Sequence, residues 1–322
     1  MEDVNVILKN YNIKDIKIEI LNKGYASQKW KIYDEENNIY ILKQINKQNL
    51  ERLKFILNVQ SELNKYSPKI ISTKDDLLYC TSGNNIYYLY KYIDANSVDI
   101  NNKTLNEIGE FLFILHEKMK KIEMKKNTFL NVEDNIHVLN EYLKYYIENN
   151  KKDYIDILKY KLSILEKLTI THINFNNLTE QIIHGDFYID NILYNKEYKI
   201  IDFDQCCHFY REYEVLRAMF MLSLTEDLNK KIILSNMKQF IRGYCNTSSL
   251  ISPIDAYNLY LYVQANSLSS IKPIQSEDEQ RKKFAKKRFK ILKFLYENKK
   301  DIISILGGDN NEKADTSFST SV

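Results

Sequence analysis

Residues 182 to 204 read IIHGDFYIDNILYNKEYKIIDFD, and this stretch restricts the chain more than any other. It sets Asp186, Asp190, Asp202 and Asp204, with His184 and Asn191, between runs of Ile, Leu and Tyr. A charge buried without a partner costs several kcal/mol, so acids beside strand-like apolar runs need a reason. The segment ILYNKEYKI reads as a β-hairpin whose far arm delivers Asp202 to Asn191. A carboxylate and an amide carbonyl, both hard oxygen ligands, then face one site, and that pair suits Mg²⁺.

The spacing fits one chemistry. Phosphoryl transfer needs a phosphate held in line, a metal to neutralise charge, and an acceptor for the incoming hydroxyl's proton. In the kinase template these parts are the Asp of H-R-D-x-x-x-x-N, its Asn five residues on, and a second Asp followed by Phe. Here His184, Gly185 and Asp186 lead to Asn191 at the same spacing, and Asp202-Phe203-Asp204 follows the hairpin. Asp186 is the candidate base or hydroxyl-orienting acceptor, Asn191 and Asp202 are candidate metal ligands, and His184 braces the loop. Asp190 and Asp204 receive no role.

Upstream, IKIEIL (16–21), QKWKIYD (28–34) and IYILKQI (39–45) read as an antiparallel meander, and Leu50 to Leu63 follow helical spacing. DLLYC (76–80) and IYYLYKYI (86–93), joined by TSGNN, read as a hairpin. Lys43 lies in the third strand, where it would meet nucleotide phosphates. The loop Gly24 to Ser27 would cover them, although no G-x-G-x-x-G or Walker A pattern occurs. Glu62 is the candidate partner of Lys43, with Glu51 on nearly the same helical face as the alternative. The backbone near Lys91 and Ile93 would meet the adenine.

From residue 94 the pattern turns helical: Leu105, Ile108, Leu112 and Leu115 form one stripe, and further helices fit 134–149, 152–167, 211–223, 227–245, 254–270 and 277–299. The expected division is a nucleotide-binding lobe over 1–93, a catalytic and acceptor-binding lobe over 94–306, and a disordered polar tail over 307–322. A chain of 322 residues has room for two such cores. With 46 Lys and Arg against 43 Asp and Glu, whole-chain charge gives no case for nucleic acid as the main partner. The basic run QRKKFAKKRFKILK (280–293) reads as a helix with a solvated face. Four unpaired-looking cysteines, no leader pattern and no long apolar run point to a reduced, cytoplasmic setting without a membrane partner. His116, His137, His172, His184 and His208 lack the spacing of a hydrolytic zinc site.

Taken together, HGDFYIDNILY, ILK, IYYLYKYID, IGEFLFILHEKM and IDFD resemble the aminoglycoside phosphotransferase and choline kinase-like family. The segment RLKFILNVQSEL…PKIISTKDDLLYC…YYLYKYI is most similar to its spore-coat kinase-like branch. The resemblance implies an α+β, two-lobe protein-kinase-like fold, ATP and Mg²⁺ as cofactors, and a small-molecule hydroxyl acceptor. For the branch, it implies a coat location and spore-coat protein partners, with a catalytically weak kinase-fold assembly protein as the competing reading. Tyr188, Ile189 and Asp190 depart from the family's frequent His-Pro-small sequence, and Glu212 and Glu214 stand where Asp-Leu is common. No counterpart of the protein-kinase APE segment occurs, which argues against a protein substrate.

Overall fold

The computed structural model describes residues 4–13, 15–21, 28–46, 50–123, 134–245, 252–268, 271 and 279–307. Ser27 and its loop, and the tail beyond residue 307, lie outside the described residues. The chain forms two compact units: Met1–Asp99, Ile114–Thr128 and Ile182–Cys207 make the first, and Ile100–Phe113, Phe129–Gln181 and His208–Val322 the second. A sequence boundary near residue 94 stands as our proposal for the lobes.

In the first unit, β1 (Asp15–Leu21), β2 (Gln28–Asp34), β3 (Ile39–Asn46), β4 (Ile70–Ile71), β5 (Cys80–Ser82) and β6 (Asn85–Lys91) form one antiparallel sheet. The path runs β1-β2-β3-β6-β4, and β5 pairs with β6. The turn between β2 and β3 is built by Asp34, whose Oδ1 accepts from Glu36 N at 2.9 Å and Asn38 N at 2.7 Å. Asn37 takes the left-handed conformation there, φ 62°, a conformation Asn tolerates.

Strand alternation gives the sheet two buried faces. On one, α1 (Val4–Leu8) brings Ile7 and Leu8 against Trp30, Ile32, Leu42, Tyr87 and Leu89. On the other, α2 (Leu50–Leu63) packs Leu53 and Leu57 against Ile70, Ile86 and Tyr88. Lys43 lies opposite Tyr88 in the β3–β6 register and so belongs to the α2 face. The strand expected over 76–80 forms only at its end. Thr73 N donates to Leu77 O at 2.7 Å, and Asp76 is left-handed at φ 58°, so those residues close a turn instead.

A smaller sheet, also in the first unit, joins β7 (Asn96–Ser97) to the expected hairpin of β9 (Ile192–Asn195) and β10 (Glu197–Ile200). Lys196, at φ 60°, makes its turn. The strand β8 (Glu180–Ile183) enters this region and β11 (Cys207–Tyr210) leaves it.

The rest is mainly helical: α3 (Asn102–Met119), α4 (Ile136–Glu148), α5 (Lys152–Lys167), α6 (Arg211–Ser223), α7 (Lys230–Tyr244), α8 (Pro253–Asn266), α9 (Glu279–Glu297) and α10 (Lys299–Gly307). Helices α3 and α7 touch backbone to backbone. A Cβ on Gly109 would overlap Phe240 O, and one on Gly243 would overlap Asn106 O. The antiparallel sheet followed by a mostly helical remainder is the α+β class expected. Among the described residues no helix is long and apolar enough to cross a membrane, and no disulfide joins Cys80, Cys206, Cys207 or Cys245.

Candidate active site

Lys43 is 2 % exposed, and its ammonium faces two carboxylates, Asp204 Oδ1 at 2.5 Å and Asp202 Oδ1 at 3.4 Å. Burial alone would lower the Lys43 pKa, but the two carboxylates more than reverse this and hold it raised. For Asp202, burial pushes upward while Lys43, and then Lys29, bring the pKa below the usual carboxylate range. Lys29 lies directly opposite Lys43 in the β2–β3 register, and its Nζ is 3.6 Å from Asp202 Oδ2. Two lysines thus hold one carboxylate, each by a different oxygen.

The turn carrying Asp202 is strained and pinned. Asp202 takes the left-handed conformation, φ 64°, which costs about 1–3 kcal/mol for a residue with a Cβ. Ile201 N donates to Asn191 O at 2.9 Å, continuing the β9–β10 ladder to the residue before Asp202. From α2, Arg52 Nη2 donates to Asp204 O at 2.6 Å.

The H-G-D loop is fixed to the same turn. His184 is fully buried; its Nε2 lies 3.1 Å from Ile201 O, and its Nδ1 accepts from Asp186 N at 3.3 Å. Those partners require the Nε2–H tautomer. Its ring meets Phe203 edge-on at 4.8 Å between centroids. Gly185 has φ +77°, and a Cβ there would overlap Gln205 O. This explains why glycine occupies the position at which protein kinases carry arginine. Asn191 Nδ2 donates to Asp186 O at 2.9 Å and to Asp186 Oδ2 at 3.1 Å. The amide nitrogen is thereby committed to Asp186, and Asn191 Oδ1 is the atom left for a cation.

A cavity of about 220 Å³ lies within the first unit, lined by Lys29, Lys43, Gln60, Asp202 and the 90–93 segment. Leu21, Ile41, Leu193 and Ile201 give it apolar walls, the lining a flat base requires. Lys91 N donates to Lys69 O at 2.8 Å and Tyr92 N to Ile39 O at 2.9 Å. Tyr90, in the same lining, has its phenol pKa pushed up by burial.

The structure therefore brings Lys43, Asp202, Lys91 and Ile93 to one cavity, and ties Asp186 and Asn191 to the turn that ends in Asp202. Glu62 is a correction: it is exposed, and the ion-pair partners of Lys43 are Asp202 and Asp204. Glu51 is spent on Lys54 at 2.8 Å. The reason is helical phase. Phe55, Ile56, Val59, Gln60 and Leu63 are buried, and a residue two positions from Gln60 is rotated by about 200°. Gln60 is the polar side chain α2 turns inward, and it donates to Pro68 O at 2.9 Å. The sequence reading also missed Lys29, Arg52 and the ion pair of Asp204. A register count could have found Lys29: Tyr33 opposite Ile39 across the EENN turn puts Lys29 opposite Lys43.

The donor set suits a divalent ion bound together with phosphates. Among the described residues no group of three or more His, Cys, Asp or Glu side chains could hold a metal. One carboxylate and one amide oxygen would leave most positions to water and substrate phosphates, the way Mg²⁺ is commonly held.

Comparisons with known proteins bear on the family and the fold. The profile of a phosphotransferase enzyme family matches residues 17–241. A search of curated proteins finds no match. Among solved structures, an amicoumacin kinase in complex with AMP-PNP, Ca²⁺ and Ami superposes with a TM-score of 0.67 at 14% identity, covering 93% of each chain. Spectinomycin phosphotransferase with ADP and spectinomycin gives 0.58 at 14% identity, over 94% of this chain and 96% of that one. A Plasmodium vivax ethanolamine kinase gives 0.55 at 17% identity, over 86% and 82%. These likenesses establish the protein-kinase-like fold.

Proposed function

The chain belongs to the phosphotransferase enzyme family that its residues 17–241 match, and from that premise we propose that it moves the γ-phosphate of ATP, with Mg²⁺, to a hydroxyl of a small molecule. The carrying observation is the buried Lys43 ammonium held between Asp202 and Asp204 beside a cavity with apolar walls. In this reading the base lies among Leu21, Ile41 and Leu193 and meets the backbone at Lys91 and Ile93. Lys43 contacts the phosphates. Asp202 and Asn191 Oδ1 would hold Mg²⁺, which when bound neutralises charge on the phosphates. The acceptor oxygen attacks the γ-phosphorus as the bond to the bridging oxygen of ADP breaks. Asp186, oriented by Asn191 Nδ2, takes the hydroxyl proton.

The neighbours named for amicoumacin, spectinomycin and ethanolamine support an aminoglycoside-type, amino-alcohol or sugar acceptor. The test is ADP release with Mg²⁺-ATP over a panel of such compounds, with the phosphorylated product identified by mass. Asp186→Ala should keep nucleotide binding and lose turnover by about 10²–10⁴-fold; normal turnover by that variant overturns the mechanism. The resemblance of residues 52–93 to the spore-coat branch supports a second reading, a kinase-fold assembly protein with coat partners. Mg²⁺-dependent stabilisation by ATP, with no ATP consumed over the whole panel, would favour it.

A further inference from the structure

Lys29 has no part in the reading above, yet it occupies a demanding position. Like charges directly opposite on neighbouring strands repel, and Lys29 faces Lys43 in that way. Both line the same cavity as Asp202. Their ammonium groups reach that one carboxylate from two sides, Lys43 on Oδ1 and Lys29 on Oδ2. A structural ion pair would need one of them, and Lys43 already has Asp204 at 2.5 Å. Lys29 is the more exposed, at 29 % of its side chain against 2 % for Lys43, and its long stem allows the ammonium to move.

We propose that Lys29 is a placeholder cation: without nucleotide it guards Asp202 against divalent metal, and when nucleotide arrives it transfers to the phosphate tail and frees Asp202 Oδ2 for the metal. This deepens the phosphotransferase reading and rests on it for the phosphate half. The charge balance gives the direction. Two lysines offset Asp202 and Asp204, so a lone divalent ion would bring surplus positive charge. A metal entering with a polyanionic tail meets carboxylates on one side and leaves both ammoniums a phosphate partner. Metal and nucleotide binding are therefore coupled through Lys29.

The two halves predict opposite signs, which a merely structural lysine would not produce. Lys29→Met and Lys29→Arg are compared with the wild-type protein for Mn²⁺ binding without nucleotide, by electron paramagnetic resonance of the free ion. The same proteins are titrated with a fluorescent ATP analogue in Mg²⁺. Lys29→Met should bind Mn²⁺ several-fold more tightly and the nucleotide about tenfold more weakly, with Lys29→Arg close to wild type in both. If melting shows that the Met variant is poorly folded, Lys29→Gln replaces it. Unchanged Mn²⁺ affinity, or both affinities moving the same way, overturns the proposal. Failure of the wild-type protein to bind nucleotide sinks the phosphotransferase reading and the phosphate half with it, while the Mn²⁺ titration still decides whether Lys29 guards Asp202.

Discussion

Gly185 carries two constraints at once, a backbone angle of φ +77° and the carbonyl of Gln205 where a Cβ would stand. Gly185→Ala should destabilise the protein by about 1–3 kcal/mol and weaken nucleotide binding, measured by thermal melting and by titration of the same sample. Lys161 makes a different prediction. It is 1 % exposed and donates to Gln264 O at 3.1 Å and Ser267 O at 2.9 Å, capping the end of α8. Burial, with help from the charge of Arg288, pushes its pKa down to about 7. Between pH 7 and about 10 the unfolded chain then binds the proton that the folded chain has released, so this group raises stability with pH. Urea unfolding should show the wild-type protein gaining on Lys161→Met by about 1 kcal/mol per pH unit across that window. Nothing in the sequence marks Lys161, which stands in an ordinary amphipathic helix; only the fold reveals what it caps. That His184, Asp186, Asn191 and Asp202 gather at two linked turns was legible, because spacing along a hairpin is a local property.

Elements show where that legibility stops. The hairpin of β9 and β10 and the helices α6 and α8 lie close to where alternation and helical stripes put them. Helix α2 was also expected, but its phase was not fixed by pattern, since Glu51 and Glu62 satisfied the stripe equally well. Burial of Gln60 settled it, and burial depends on the sheet beneath. The short α1 was not expected at all, because a five-residue helix has too few apolar positions to show a period. The contact of α3 with α7 depends on two glycines far apart in sequence. Gly243→Ala should cost about 1–3 kcal/mol by overpacking, and Gly109→Ala should not add fully to it because both act on one contact. Chemical denaturation of the two single variants and the double checks both statements.

For the whole chain, the surprise is sequence order. Residues 182–207 belong with the first unit although helices of the second precede and follow them, a grouping that no local pattern encodes. Ligand linkage then gives a global expectation: Mg²⁺-ATP at about 100 times its dissociation constant should stabilise the protein by about 2.7 kcal/mol, measured by urea unfolding with and without the nucleotide. The pH limits follow from the same cavity. Asp202, whose pKa is lowered, contributes stability above about pH 4 and loses it as pH falls through the folded value; Lys43, whose pKa is raised, loses its share only above about pH 10.5. Asp202→Asn should therefore flatten the acid limb of the stability profile in circular dichroism and move the alkaline limb to lower pH, because Lys43 then keeps only Asp204 against the effect of burial.

The bonds from His184 to Ile201 O and from Ile201 N to Asn191 O stitch the two acidic turns together through main chain. One turn cannot open without breaking contacts of the other, so the amide hydrogens of Asp186 and Ile201 should exchange with deuterium as a single cooperative group. Acids held this way are set in place beforehand, and motion is left to whatever binds above them.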